Sequence, residues 1–212
     1  MTKITLFFFF VSFAVTAQYN PGTVTFNNGS TKTGLIEIPK FQDSKVRFKT
    51  DQKAKVEKFS VDDVKQFEIT NPQNEKETYV TMRLGNNKTF NVSEIRVDDE
   101  KNFVRVLNKK RIGIYVAHFE GNSVSGGGGT MRSHSYGGDR YYLQREGDDF
   151  AFSIGTHRYD LDFMTGMSTY GVINENFKDI CPEFWNKLMA LDLPVSRFAE
   201  FADVYEETCP KK

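Results

Sequence analysis

The sequence predicts an α+β fold that is mainly β: antiparallel small barrel-like or sandwich-like sheets followed by a C-terminal disulfide-linked αα-hairpin. From Gly22 to about Leu107, apolar residues recur with a period of two in short runs separated by turn residues, as in half-buried antiparallel strands. After about Asn174 the apolar spacing becomes three and four residues, which indicates helices. Cys181 and Cys209 frame this helical part.

The composition is that of a folded protein without excess charge. The 212 residues include 28 basic and 28 acidic side chains, and 39% are hydrophobic. A chain stays disordered when low hydrophobicity combines with high net charge, so global disorder is excluded. Because a protein that neutralises phosphates normally carries a basic surplus, we expect no nucleic-acid partner. The length predicts one domain or two small ones.

Residues 1–17 have the pattern of a secretory signal peptide. Lys3 is followed by an apolar run of roughly a dozen residues and then by Val15-Thr16-Ala17, a small-x-small cleavage pattern. We expect cleavage between Ala17 and Gln18. A retained anchor is the weaker alternative, because the run is shorter than the ~20 residues that span a bilayer. The sequence therefore predicts an exported protein, periplasmic or extracellular, with no stable transmembrane span after cleavage.

We divide the rest of the chain into three parts. Residues 18–100 are predicted to form an N-terminal antiparallel β domain. Residues 101–172 are predicted to form a second β unit that carries a Gly-rich loop at 121–138. Residues 173–212 are predicted to form the C-terminal helical hairpin.

Turn residues locate the first strands. Asn28-Gly29, the strongest short hairpin signal, lies between strands predicted at residues 23–27 and 32–38. Residues 45–49 alternate basic and apolar side chains, as expected of a strand with one face in water.

A helical turn and a second hairpin follow. Ser60 is predicted to cap a single helical turn that leads into the next strand. The hairpin is predicted from strands at residues 78–84 and 88–92, with Gly85-Asn86-Asn87 as its turn.

The strand pattern resumes in the second β unit, at residues 103–107, 111–119, 141–145 and 150–154. The run 111–119 is apolar on both of its faces, so we expect it to be covered on both sides. His118 falls in phase with Ile114 and Val116, which predicts a hydrogen-bonded histidine in the core.

The most conspicuous local feature is the tetraglycine run at residues 126–129. A phosphate-binding loop would continue into Gly-Lys-Ser/Thr and a helix, and the sequence has neither. The composition favours a flexible hairpin tip between two strands. The alternative is a partner-binding loop, because the side chains around it are of types common in recognition surfaces. Its candidate residues are Arg132, His134, Tyr136 and Arg140.

Two helices are predicted at the C-terminus, with a disulfide between them. The first carries the apolar face Phe177, Ile180, Cys181, Phe184, Leu188 and Leu191, with Pro182 near its first turn. The second carries Phe198, Phe201, Ala202, Tyr205 and Cys209. In an oxidising compartment two cysteines most often pair, so Cys181 and Cys209 are predicted to join the start of one helix to the end of the other. Two separate thiols are the alternative.

No group of residues predicts catalysis or metal binding. The histidines at positions 118, 134 and 157 have no metal-ligand spacing. His157 lies near Asp160 and Asp162, for which we expect a surface turn network rather than an acid–base pair. The sequence has no Gly-x-Ser-x-Gly nucleophile motif, and the disulfide would leave no free cysteine. We therefore expect a protein that is not an enzyme, with no metal site and no cofactor.

Three short motifs follow the predicted signal peptide: a Gly-x-Val-x-x-x-x-Gly opening from Gly22-Thr23-Val24 through Asn28-Gly29, then Cys181-Pro182, and a Tyr-x-x-x-Cys pattern from Tyr205 to Cys209. In this order of elements the chain resembles uncharacterised secreted proteins of Bacteroidota. The resemblance spans most of the chain after residue 17. It implies export and a lineage-restricted role, and it brings no catalytic residues.

Two functions from different classes fit these observations. The first is a non-enzymatic envelope or extracellular interaction protein that binds an unknown protein or glycan partner. Predicted export, short strands and the lack of a catalytic constellation favour it. The alternative is a small apolar-ligand carrier with a β-barrel pocket, because 20 Phe and 9 Tyr are enough to line one. The carrier requires a cavity large enough for its ligand.

Overall fold

The computed structural model describes residues 18–88, 91–127, 130–159, 164–165 and 169–210. In this part the fold is mainly β, with three C-terminal α-helices, and it confirms the predicted fold class. The predicted signal peptide and the residues Asp160 and Asp162 lie outside the described part of the chain. The side chains of Arg132 and His134 lie outside it as well.

The described strands all belong to one sheet. They are β1 (Tyr19–Phe26), β2 (Thr31–Glu37), β3 (Lys45–Lys49), β4 (Glu57–Ser60), β5 (Val64–Thr70), β6 (Lys76–Lys88), β7 (Asn91–Lys109), β8 (Gly113–Gly127), β9 (Thr130–Gln144), β10 (Phe150–Arg158) and β11 (Met164–Thr165). Their order in the sheet is β11-β10-β9-β8-β7-β6-β5-β1-β2-β3-β4. The helices are α1 (Thr169–Phe177), α2 (Pro182–Leu191), a 3-10 helix (Val195–Glu200) and α3 (Phe201–Thr208).

The consecutive strands β6 to β10 close into a ring. Each is antiparallel to the next, and the ring closes where β10 lies parallel to β6, with Phe150 beside Arg83 and Phe152 beside Gly85. Every strand of the ring contributes to one buried cluster. Its members are Met82, Leu84, Val104, Tyr115, Ala117, Tyr142 and Ala151. These side chains lie inside the ring.

Strands β1 to β5 extend the sheet from the first half of β6. The predicted β1–β2 hairpin is confirmed, and it turns at Asn28-Gly29, where Gly29 has φ +84°, a conformation that glycine adopts without strain. In the turn before β5, the Asp62 N–H donates to the Ser60 hydroxyl at 3.3 Å, as expected of the predicted cap. Side chains of this region form a second buried cluster, which includes Phe48 and Phe67.

The predicted turn at Gly85-Asn86-Asn87 is wrong. These residues continue β6, and Gly85 pairs with Val97 of β7. A glycine inside a strand marks a close approach of other atoms, and a Cβ at Gly85 would lie 2.5 Å from the Ile95 side chain. The Asn87 side-chain amide donates to the Ser153 carbonyl at 2.6 Å, which holds this part of β6 to β10. Strand β7 runs past residue 100, and the division of the chain at that position stays a prediction.

Strands β8 and β9 are longer than the sequence predicts. They pair from Gly113 opposite Gln144 to Gly127 opposite Thr130, so most of the predicted loop at 121–138 is a two-stranded ribbon. Gly and Ser show no apolar alternation, and for that reason the sequence carries no strand signal there. The ribbon is held by its backbone hydrogen bonds, which require no particular side chain.

The C-terminal helices are divided differently from the prediction. Phe177 ends α1, and Pro182 begins α2 at a position where its missing N–H is not needed. The apolar face predicted for one helix across residues 177–191 is therefore shared by two. Cys181 and Cys209 form the predicted disulfide, which joins the start of α2 to the end of α3.

A third buried cluster lies between these helices and the outer face of the ring. Ile114 and Leu143 of the sheet belong to it, together with Phe184 and Phe201 of the helices. Tyr115, the neighbour of Ile114 on β8, belongs to the cluster inside the ring, which confirms that β8 is covered on both sides. Each helix in the described part of the chain is too short or too polar to span a bilayer.

Candidate functional site

A cleft of about 1110 Å³ lies between the β8–β9 ribbon and residues 38–42, which follow β2 and which we name the loop wall. Strands β6 and β7 contribute the remaining surface. The aromatic lining residues are Phe41, Tyr79, Phe103, Phe119, Tyr136 and Tyr159. The ionisable polar ones are Lys40, Glu77, Arg105, His118, Glu120 and Asp139. Because side chains alternate along a strand, His118 and Asp139 line the cleft from one face of the ribbon and Phe119 and Tyr136 from the other, so the cleft extends around the edge of β8.

Glu77 is the centre of the first polar group in the cleft. Tyr79 lies opposite Arg105 in the β6–β7 pair, and Glu77 is two residues away on the same face of β6. The Arg105 guanidinium donates to Oε1 of Glu77 at 2.9 Å, and the Tyr79 hydroxyl donates to Oε2 at 3.0 Å. Burial and the Glu77 carboxylate raise the pKa of Tyr79 well above its ordinary value. Tyr79 therefore keeps its proton and acts as a donor.

His118 and Asp139 form the second polar group. They lie opposite each other on β8 and β9, with Nδ1 of His118 3.4 Å from Oδ1 of Asp139. Tyr159 stacks on the imidazole with ring centroids 5.7 Å apart, and its hydroxyl oxygen lies 3.2 Å from the same Nδ1. Desolvation and a hydrogen bond to the Asp139 carboxylate raise the pKa of Tyr159. The tyrosine hydroxyl is therefore protonated at neutral pH.

The predicted core position of His118 is wrong, although it is hydrogen-bonded as expected. Its side chain is 52% exposed. The β7–β8 pairs of the described structure end with Arg105 opposite Val116. His118 therefore lies on the part of β8 that extends beyond the ring. The alternating pattern of the sequence continues past the end of the core, and periodicity alone does not mark that end.

Tyr136 and Arg140, two of the predicted partner-binding residues, lie on β9 rather than in a loop. Tyr136 lines the cleft, packs edge-on against Phe119, and has the Arg158 guanidinium over its ring at 4.5 Å. The Arg140 guanidinium lies 5.6 Å from the Phe41 ring centroid and 5.7 Å from that of Phe119. Tyr136 is thus part of the site, whereas Arg140 fastens the loop wall to β8.

Gly121 makes room for the Tyr136 ring. The two residues lie opposite each other on β8 and β9. A Cβ at Gly121 would lie 2.4 Å from the ring, much closer than atoms can approach. The absence of a side chain at this position therefore lets the aromatic ring lie against the backbone of β8.

The charges of the cleft are paired with one another. Lys40 of the loop wall forms a 3.2 Å ion pair with Glu120 of β8, and both side chains are mostly exposed. Arg105 pairs with Glu77 at 2.9 Å. Together with the contact between His118 and Asp139, these pairs give each acidic lining residue a basic or imidazole neighbour. The exposed Lys40–Glu120 pair adds little to the stability of the fold, but its two charges balance each other on the surface of the cleft.

His157 lies outside the cleft lining and contacts the Tyr159 ring edge-on, at 5.8 Å between centroids. Its predicted neighbours Asp160 and Asp162 are outside the described residues, so that cluster stays a prediction. The part of the chain that the structure describes contains no group of three or more His, Cys, Asp or Glu side chains able to hold a metal ion.

Most of the cleft residues carry no signal in the sequence. Glu77 and Arg105 are 28 residues apart, and His118 and Asp139 are 21 apart, without a shared motif. The one usable signal is strand alternation, which puts Glu77 and Tyr79 on one face of β6. Alternation does not show which other strands contribute side chains next to Glu77 and Tyr79, because that depends on how the sheet closes into a ring.

Comparisons of the chain with protein-family models, with curated proteins and with solved structures gave no match in any of the three. The resemblance to secreted proteins of Bacteroidota therefore stays a prediction. A fold alone does not define a function, which depends on the residues of a site.

Proposed function

We propose that the chain is an exported, non-enzymatic interaction protein that holds its partner in the cleft. The observation that carries the proposal is the cleft: about 1110 Å³ around the edge of β8, lined by aromatic rings and by polar groups. Ligand sites have this composition, and the volume lies above the roughly 300–1000 Å³ of sites for drug-sized molecules. An extended ligand, or a projecting segment of a partner, suits such a space.

The cleft is a better place for a ligand than the inside of the ring. Tyr115 and Tyr142 are fully buried there, packed with the smaller apolar side chains of the same cluster. An interior of close-packed side chains leaves voids no larger than a water molecule. The cleft, in contrast, is an open space outside the ring, beside β8 and β9.

Two independent features support export. Residues 1–17 carry the pattern of a signal peptide. The Cys181–Cys209 disulfide persists in oxidising compartments and is rare where thiols are kept reduced.

The hydrogen bonding of the cleft favours binding over catalysis. Tyr79 and Tyr159 have raised pKa values, so neither hydroxyl supplies a base or an activated nucleophile at neutral pH. In the described residues, the contacts of His118 are with Asp139 and Tyr159, and Ser135 of the cleft shares no hydrogen bond with it. Acyl transfer requires a nucleophile within reach of its base.

Photocrosslinking in intact cells of the source organism tests this proposal. The photoreactive residue p-benzoylphenylalanine is introduced at position 136, inside the cleft. Its matched control is position 19, a half-buried tyrosine of β1 outside the cleft lining. We expect a defined adduct from position 136 and none from position 19. Equal adducts from both positions, or none from either, would contradict the proposal.

A further inference from the structure

We infer that the partner held in the cleft is a neutral glycan chain. The inference rests on the proposed binding function and adds the chemical class of the ligand. It follows from three properties of the lining: its near balance of charge, its mixture of donors and acceptors, and its aromatic rings, of which that of Tyr159 is exposed.

The paired charges disfavour an ionic ligand. Lys40 and Arg105 each have a carboxylate within 3.2 Å, so a phosphate or carboxylate ligand would have to compete with Glu120 and Glu77. An ammonium ligand would compete with the same cations for those carboxylates. Attraction of a charged ligand depends on a local excess of one sign, and with two cations, three carboxylates and the His118 imidazole this surface has an excess of at most one carboxylate.

The same pairs suit hydroxyl groups. A hydroxyl donates one hydrogen bond and accepts up to two, so neighbouring hydroxyls on a sugar ring need donors and acceptors close together. The Arg105–Glu77 pair presents guanidinium N–H groups beside carboxylate oxygens, joined at 2.9 Å. The second group adds the imidazole of His118 beside the Asp139 carboxylate. Both polar groups therefore offer donors and acceptors side by side.

The aromatic residues supply the remaining part of a sugar-binding surface. Tyr159 is 57% exposed, so much of its ring stays accessible although it is stacked on the His118 imidazole. Tyr136 and Phe119 form a second aromatic surface on the opposite face of the ribbon, which the cleft reaches around the edge of β8. Rings with a polar edge contribute a large contact area to recognition, and the C–H faces of a sugar provide the apolar counterpart.

Other ligand classes fit these observations less well. A single-stranded nucleic acid would stack on the same rings, but its backbone needs a cationic groove, and Lys40 and Arg105 are paired. A wholly apolar ligand would remove water from Glu77 and Asp139 without replacing the lost hydrogen bonds. The competing occupant is a peptide strand, since β8 beyond Val116 has no pair with β7 in the described residues.

Isothermal titration of the exported chain with defined oligosaccharides tests the inference. The neutral probes are cellohexaose, maltohexaose, xylohexaose, mannohexaose and chitohexaose, and the anionic control is hexagalacturonate. We expect saturable binding of at least one neutral hexamer and weaker binding of the anionic one. Tyr159→Ala should weaken the binding by at least about tenfold. Tyr159→Phe keeps the ring and should stay within about threefold of the unsubstituted chain.

Two further variants make the result specific to the cleft. Tyr19→Ala removes an aromatic ring outside the lining and should leave the affinity unchanged. Gly121→Ala displaces the Tyr136 ring without deleting it and should weaken binding. Circular dichroism establishes that each variant is folded before its titration is interpreted.

The inference is overturned if no neutral hexamer binds at millimolar concentration, or if hexagalacturonate binds best. Its failure is separable from that of the proposed function. A crosslink from position 136 whose adduct yields peptides of a second protein and keeps its mass after glycosidase treatment would identify a protein partner. In that outcome the binding function stands and the glycan assignment is wrong.

Discussion

The Arg111 guanidinium lies over the ring of Tyr205, 4.9 Å from its centroid, and this contact joins α3 to the sheet. Its Nη2 donates to the Cys209 carbonyl at 2.8 Å, and its Nε donates to Oε2 of Glu206 at 3.0 Å. The carbonyl groups at the end of a helix have no partner within the helix. Arg111, which lies just before β8, therefore caps α3 from the sheet and joins two parts of the chain that are distant in sequence.

We expect Arg111→Ala to lower the free energy of unfolding by about 2–3 kcal/mol, because the side chain is 15% exposed and makes several charge-assisted hydrogen bonds. Urea unfolding followed by circular dichroism measures the change. Arg197→Ala is the matched control, since Arg197 forms an exposed pair with Glu200 one helical turn away, and its loss should leave the unfolding midpoint unchanged. Similar effects of the two substitutions would contradict the capping role.

The disulfide should contribute most of its stabilisation through the unfolded chain. Cys181 and Cys209 are separated by 28 residues, for which loop-closure entropy corresponds to about 3.5 kcal/mol. We expect the double substitution Cys181→Ala with Cys209→Ala to lower the unfolding free energy by about that amount. Unfolding of the unsubstituted protein with and without reductant provides the comparison. A reduced protein as stable as the oxidised one would show that the bridge is not needed to hold α2 and α3 together.

The local parts of the fold could be predicted from the sequence, because their signals are local. Asn28-Gly29 marks the first hairpin through the φ angle that glycine allows, and residues 45–49 alternate as a strand with one face in water. The disulfide followed from the number of cysteines and the predicted compartment. Each of these features depends on neighbouring residues or on composition.

The closure of the ring and the cleft depend on long-range pairing, which these local signals do not contain. Phe150 of β10 lies beside Arg83 of β6, although the two residues are far apart in the chain. The outward position of His118 results from the end of the β7–β8 pairing at Val116. At His118 an alternating pattern continues beyond the core, whereas at the Gly-rich segment a strand pair forms without any alternating pattern. Gly and Ser show no apolar alternation even where the backbone is paired, so the β8–β9 ribbon could not be predicted.

Two adjacent glycines of β9 differ in the space around them. A Cβ at Gly138 would lie 2.3 Å from the His157 carbonyl oxygen, whereas one at Gly137 would have its nearest neighbour at 3.5 Å. We expect Gly138→Ala to push β9 away from β10 and to lower the unfolding free energy by about 1–3 kcal/mol. Gly137→Ala should change it by less than about 0.5 kcal/mol. Urea unfolding compares the two variants, and equal losses would contradict the close packing at Gly138.

Buried tyrosines should make the fold sensitive to alkali. Burial raises the pKa of Tyr115, Tyr141 and Tyr142 to about 12, from an ordinary value of 10.0. Below pH 10 the three phenols are protonated in both states. As the pH rises toward about 12, the unfolded chain releases their protons while the folded chain retains them. Unfolding is therefore favoured in this interval, by up to about 1.4 kcal/mol per pH unit for each tyrosine.

Urea unfolding at a series of pH values, combined with an absorbance titration of tyrosinate, measures this effect. We expect these three tyrosines, together with Tyr79 and Tyr159, to ionise later in the folded protein than in urea. Tyr142→Phe removes one ionisable group from the interior, so its stability should fall less steeply above pH 10, whatever its stability at neutral pH. If the slopes of the variant and the unsubstituted protein were equal, Tyr142 would have to ionise at its ordinary pKa within the fold, which is incompatible with a phenol that is 1% exposed inside the ring.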